Sequence, residues 1–391
     1  MKDRSYTKGV ISGVLGTVMV ALAVVVTVMF FNIGNLGNVI QTVRILDRYS
    51  LEPLSLSEKN EGAITGMVNQ LEDPYSYYLN EEDYGALMEE YSGSYEGLGI
   101  YLTSFVDAEY TVVMAPIKGT PAFEAGLLAG DEIIKINGED MAGVGADEIA
   151  AKIKYGEESH FVMEVRRNGE MLTFEMDREK IDIPSVDGQF LEGQDGVAYI
   201  AISNFAQNTP MELMDILTSL EKEGSINGII LDLRNNPGGS VESVLAVADM
   251  FLSKGDHILW VEEKKKETCY DAENTNPYSY PLVVLVNENS ASASEILTGA
   301  LKENGRADIV GVNTFGKGII QSVYSLSGGV AVKVTTAEYL SPDKNKIHEV
   351  GIAPDVEVEL HTDDVTAIYT LDPAIDNQLA EALMVLDREI R

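Results

Sequence analysis

Three short segments of this 391-residue chain combine side chains and backbone able to do chemistry. Each follows an apolar run, where loops on a rigid scaffold usually carry function. Asn289-Ser-Ala-Ser-Ala-Ser-Glu295 sets serines ahead of a helical stretch. A serine at a helix N-terminus sits in a positive field that favours an alkoxide-like transition state, so Ser292 is a candidate nucleophile. The same spacing suits a capping box of Ser292 and Glu295, with no catalytic role. In Thr314-Phe-Gly-Lys-Gly-Ile-Ile-Gln321, Lys317 lies near Phe315, Ile319 and Ile320. An apolar pocket disfavours the ammonium form, and a neutral lysine can act as general base for a serine. Gln321, four residues on, falls on the same face in a helix or a strand and could orient the amine. The alternative is a solvated lysine in a glycine loop. In Asp232-Leu-Arg-Asn-Asn-Pro-Gly-Gly-Ser240, paired glycines let the backbone approach a ligand closely. Their N–H groups near a helix start could hold a developing oxyanion. A plain tight turn would use the same residues.

Other chemistries fit poorly. No Gly-x-Ser-x-Gly elbow occurs. Of four scattered histidines (His160, His257, His348, His361), only His348 is a candidate base, and a triad needs one specifically oriented. Cys269 is the sole cysteine, so an intrachain disulfide, a thiolate zinc cluster and an Fe–S site are excluded. One cysteine with dispersed histidines argues against a metal centre, and neither metal nor cofactor is expected.

The elements that must position these loops are legible as patterns. Residues 36–92 read as a helical arm, with apolar spacings of three and four over 41–49 and 61–71, broken at Asp73-Pro74. Residues 93–179 switch to short strands with the turn signals Asn137-Gly138 and Asn168-Gly169, a compact β-rich module. From 180 to 360, strands alternate with helices. Strands are expected at 197–202, 228–233 and 282–286. Helices are expected from Thr209 as N-cap to Gly224, over 241–252 and over 295–301. Repeated strand–helix units imply an α/β layer fold. Residues 361–391 end in an amphipathic helix at 376–386.

Between Lys8 and Arg44 there is no charge. Residues 9–33 are long and apolar enough for a membrane anchor, and the basic flank of residues 1–8 places the rest of the chain outside the cytoplasm. A cleaved signal peptide is the competing reading, but the segment lacks a small-x-small cleavage pattern. The formal net charge of −35 makes nucleic acid an unsuitable partner.

Taken together the motifs resemble the carboxyl-terminal processing peptidases, the S41 family of serine proteases. Leu71-Glu-Asp-Pro-Tyr-Ser-Tyr-Tyr78 is similar to the family's segment before its PDZ domain. Tyr95-Glu-Gly-Leu-Gly-Ile100 and 119–138 resemble a PDZ domain. Leu233-Arg-Asn-Asn-Pro-Gly-Gly239, Ser290-Ala-Ser-Ala-Ser-Glu295 and Phe315-Gly-Lys-Gly318 resemble the protease core motifs, in the family's order. The resemblance implies a ClpP/crotonase-like ββα core with an inserted PDZ domain. It implies Ser292 as nucleophile, Lys317 as base and Gln321 in support, with the backbone amides of Gly239 and Ala293 as oxyanion hole and Gly238 a weaker choice. It also implies that the amides of Gly97, Leu98, Gly99 and Ile100 bind a peptide C-terminus, and that the PDZ domain gates activity.

The expectation is therefore a membrane-anchored serine endopeptidase cutting extracytoplasmic proteins at or near accessible C-termini. Its partners are protein or peptide substrates and the membrane, and the chain is a candidate for homo-oligomerisation. A non-catalytic membrane-surface PDZ scaffold and a hydrophobic-ligand carrier are the rivals; neither needs Ser292, Lys317 and Gln321 together.

Overall fold

Every residue of Gly228–Asp232 and of Leu282–Val286 is buried, as parallel strands covered on both faces must be. These strands lie side by side at the centre of the sheet that carries the candidate loops. The computed structural model describes residues 3–32, 36–105, 108–361 and 367–390. It divides into two units, 1–80 and 81–391.

The first unit holds α1 (Asp3–Asn32), α2 (Leu36–Tyr49), α3 (Leu56–Asn69) and β1 (Tyr77–Leu79). Ser55 caps α3 in a capping box, its N–H bonded to Glu58 Oε2 at 2.6 Å and its hydroxyl accepting from Glu58 N–H at 3.2 Å. The expected membrane span at 9–33 finds no support here. Among the described residues no helix is long and apolar enough to cross a membrane. Side chains within α1 are described over 13–27 only, so those at both ends of the expected span lie outside the description, as does residue 33.

The second unit opens with α4 (Glu81–Ser92), β2 (Ser94–Gly97), β3 (Ile100–Thr103), β4 (Val112–Pro116), α5 (Pro121–Ala125), β5 (Glu132–Ile136), β6 (Glu139–Asp140), α6 (Ala146–Tyr155), β7 (His160–Arg167), β8 (Glu170–Asp177) and β9 (Glu179–Asp182). The sheet order is β3-β4-β5-β7-β8 with β6 on β5, while β2 and β9 pair with each other. Both expected hairpin turns form, with positive φ at Asn137, Gly138, Asn168 and Gly169. Ile133, Ile136, Ile149, Phe161 and Met163 are fully buried and make this module's own core.

The chain continues through β10 (Val186–Phe190), β11 (Val197–Ile202), α7 (Thr209–Glu223), β12 (Gly228–Asp232), α8 (Val241–Phe251), β13 (His257–Glu263), β14 (Lys266–Asp271), β15 (Leu282–Val286), α9 (Ala293–Glu303), β16 (Asp308–Gly311), β17 (Ile319–Ser325), β18 (Ala331–Leu340), β19 (Val356–Glu357) and α10 (Asn377–Ile390). One sheet has the order β10-β11-β12-β15-β16-β19, parallel except for β10. Apolar faces of α7, α8 and α9 cover one side through Leu217, Val247 and Leu297. The other side is covered by α10, through Leu379, Val385 and Leu386. A second, antiparallel sheet of β17, β18, β13 and β14 adds Val261, Ala337 and Tyr339 to the helices' core.

One cap differs from expectation. Asn208, not Thr209, is the N-cap of α7. The Thr209 hydroxyl is taken up elsewhere: it accepts from Ala206 N–H at 2.9 Å and meets the Ser185 hydroxyl at 2.6 Å.

Candidate active site

Ser292 stands between β15 and α9 with φ 55° and ψ −112°. That left-handed backbone is costly for a residue with a side chain and persists only where its surroundings enforce it. The enforcement comes from three directions. Gly238 packs so tightly that a Cβ there would lie 2.8 Å from Ser292 Cβ. Glu295 Oε2 accepts the Ser292 N–H at 2.9 Å. The fully buried Tyr339 reaches the Ser292 carbonyl oxygen with its hydroxyl at 2.9 Å. The Ser292–Glu295 pair has the form of the expected capping box, and the Glu295 N–H also donates to the Ser292 carbonyl oxygen at 2.9 Å.

The same two side chains hold the lysine loop. Glu295 Oε2 also accepts the Lys317 N–H at 2.8 Å, while Oε1 takes the Gly316 N–H at 2.7 Å and the Thr314 hydroxyl at 2.6 Å. Tyr339 Oη lies 2.6 Å from the Lys317 carbonyl oxygen. One carboxylate oxygen and one phenol therefore join Ser292 to Lys317 across 25 residues of sequence. Glu295 is wholly buried, and its four donors compensate the charge. Sequence reasoning saw Glu295 only as a helix cap and missed Tyr339. The one available signal was the acid three residues after Ser292.

Burial holds the Lys317 amine below the usual lysine range, and the Lys333 ammonium pushes it the same way; Glu90 and Glu295 oppose both. Lys333, buried on β18, is lowered by burial too. Alternation along a strand gave no hint that it would approach Lys317. If neutral Lys317 is the working base, activity should rise with pH through a midpoint below the usual lysine range. Lys333→Met should move that rising limb to higher pH, because the like charge is gone. A pH–rate profile of kcat/KM for both proteins checks the shift, and an unmoved limb would exclude Lys333 as the cause.

Gly239 has φ 143°, and a Cβ there would lie 2.3 Å from the Phe205 carbonyl oxygen. The Gly238 N–H is already given to Asn236 Oδ1 at 2.9 Å. No hydrogen bond among the described residues takes up the N–H of Gly239 or Ala293, and Ala293 opens α9, where N–H groups have no partner within the helix. Gly239 and Gln321 line a cleft of about 780 Å³ with Tyr91, Val241, Tyr270 and Ile320. Ser292 and Lys317 are not among its lining residues. Gln321 Nε2 is buried and has no hydrogen-bond partner among the described residues.

Gly97, Leu98, Gly99 and Ile100 lie apart from these groups, on a second cleft of about 360 Å³ opposite Ala150, Ile153 and Lys154 of α6. Leu98 is buried, with its carbonyl oxygen accepting from Ala122 N–H at 3.0 Å. A Cβ on Gly99 would meet Thr120 at 2.2 Å. The strand that follows, β3, is an edge of its sheet, the place where an added peptide strand can pair.

The Peptidase family S41 profile matches residues 196–358, and a PDZ domain profile matches 112–167. The profile described as "Activating protease CtpB N-terminal domain" matches 31–83. A "Carboxyl-terminal-processing protease" of Synechocystis sp. is 37% identical over 317 residues, 80% of this chain and 74% of that protein. The "Carboxy-terminal processing protease CtpA" of Bacillus subtilis is 37% identical over 302 residues, 77% of this chain and 64% of that protein. Among solved structures, the "photosystem II D1 C-terminal processing protease" is 28% identical, with a TM-score of 0.50, covering 87% of this chain and 98% of that one. The fold and the site thus define a peptidase with a PDZ domain. The chain belongs to the S41 peptidase family.

Proposed function

We propose that the chain is a serine endopeptidase that cuts proteins at or near their C-termini through Ser292 and Lys317. Neutral Lys317 Nζ takes the Ser292 Oγ proton as Oγ bonds to the peptide carbonyl carbon. The N–H groups of Gly239 and Ala293 receive the oxyanion. The protonated amine then passes its proton to the departing peptide nitrogen, and water releases the acyl group from Ser292. Gln321, on the cleft, steadies the lysine. The observation that carries this reading is the grip of Glu295 and Tyr339 on both catalytic loops.

Recognition of the substrate's C-terminus falls to Gly97–Leu98–Gly99–Ile100, with the peptide adding to β3. Its occupancy gates the protease, through two states that differ in peptide affinity. The charge-free stretch between Lys8 and Arg44 supports a membrane anchor at 9–33 with the catalytic unit outside the cytoplasm.

Incubation with an unstructured protein, followed by mass spectrometry of the products, tests activity and recognition together. We expect fragments released near the C-terminus, and a KM raised about tenfold or more when that C-terminus is amidated, as loss of one charge-assisted contact predicts. Binding without any cleavage would leave a PDZ scaffold instead. Cleavage indifferent to amidation would remove the recognition role from the Gly97–Ile100 loop.

A further inference from the structure

The hairpin of β13 and β14 brings together three residues that are dispersed in the sequence. His257 pairs directly with Asp271 across the strands, and Cys269 shares Asp271's face two residues earlier. The ladder register shifts between His257 and Leu259, next to the imidazole. His257 Nδ1 lies 2.6 Å from Asp271 Oδ1 and 3.4 Å from Cys269 Sγ, and Sγ lies 3.1 Å from the same carboxylate oxygen. One donor atom from each falls within 4.8 Å of the others.

We propose that His257, Cys269 and Asp271 form a surface site for one divalent ion of the zinc type. The donor chemistry selects the ion. Calcium and magnesium require oxygen ligands, whereas a sulfur, a nitrogen and an oxygen suit zinc and similar borderline ions. Tetrahedral zinc separates such ligands by about 3.3–3.6 Å, so the cluster need open by less than about 1 Å. The side chains of His257 and Asp271 are each 49% exposed, which leaves the fourth position to water. A cysteine triad is the competing use of these residues. It would place thiol and carboxylate on opposite ring nitrogens; here both approach Nδ1. Binding releases the thiol proton, and Cys⁻ with Asp⁻ then neutralises the ion.

The site has a mechanical consequence. β14 is an edge strand. Tyr270, between two ligands, leaves the opposite face and lines the large cleft with Val261 and Glu263. An ion bridging the hairpin would stiffen that wall.

Because Cys269 is the only cysteine, a thiolate-to-cobalt absorption band can arise at one place alone. Chelator-treated full-length protein is titrated with Co²⁺. The expected result is a near-ultraviolet band that saturates at one equivalent, disappears on adding Zn²⁺ and is absent in Cys269→Ser. His257→Ala and Asp271→Ala should each weaken Co²⁺ binding by about tenfold or more. No band at several equivalents, or a band whose affinity is unchanged in both ligand variants, would overturn the proposal. A second readout needs no variant: Zn²⁺ should slow the reaction of Cys269 with a thiol reagent, and chelation should restore it. An unchanged thiol rate in saturating Zn²⁺ counts against the site as firmly.

Discussion

Replacing Lys317 with Met is expected to lower cleavage of an unstructured protein by at least about 10³-fold, within the range a positioned base contributes. Ser292→Ala should do the same. The double variant should be little worse than either single one, because residues that act as a unit give non-additive losses. The Met variant also carries a stability signature. Burial lowers the Lys317 pKa. Between the lowered value and the ordinary one, the unfolded chain binds more protons than the folded one. Stability contributed by this group is therefore present at high pH and lost as pH falls through that window. Lys317→Met removes that loss, so at neutral pH it should unfold at an equal or higher denaturant concentration than the parent. Full turnover by both single variants would end the dyad reading. A Met variant that is both inactive and markedly destabilised would attribute the loss to the fold.

Glu295→Gln is expected to destabilise the protein by about 3 kcal/mol and to reduce kcat by about 10²-fold. The amide is nearly isosteric, yet it carries two hydrogens where the carboxylate has only acceptors. With its nitrogen at the Oε2 position, it would face the N–H groups of both Ser292 and Lys317. Turned over, it would face the Gly316 N–H, with only the Thr314 hydroxyl able to reverse its role. Neither orientation satisfies every donor. Glu295 is a positioning residue, so the loss should fall mainly on kcat and leave KM for peptide nearly unchanged. Denaturant unfolding and steady-state kinetics read the two effects separately. An active, fully stable Gln variant would show that the buried carboxylate is not what holds the loops.

Much of this arrangement was visible in the amino-acid order. Leu282–Val286 is apolar at every position, and no solvated structure tolerates that, so a buried strand followed by a serine loop was readable. Asn137-Gly138 and Asn168-Gly169 fixed their hairpins through backbone angles that few other residues accept. What was hidden depends on pairing between distant segments. The antiparallel sheet of β13, β14, β17 and β18 is built from half-polar strands, with Lys264-Lys265-Lys266 at one turn, and nothing local marks them as neighbours. Lys333 and Tyr339 come close to Lys317, and Tyr339 to Ser292, only because β18 pairs with β17 and β13. The three-residue spacing of Ser292 and Glu295 has one meaning within a helix; its second, to Gly316 and Lys317, is made by tertiary folding alone. The dispersed His257 and Cys269 argued against a metal centre for the same reason, since their meeting depends on the cross-strand pairing of β13 with β14.

The Tyr339 phenol carries a last consequence, one of alkaline tolerance. Full burial, and then the nearby Glu295 carboxylate, push its pKa well above the ordinary phenol value. Its proton, shared between the carbonyl oxygens of Ser292 and Lys317, is therefore retained under conditions in which an exposed tyrosine would ionise. Over the whole range in which Lys317 loses its proton, the phenol that clasps the two loops keeps its own. Deprotonating Lys317 and loosening its mount are thus separate events on the pH axis. The first comes well before the second.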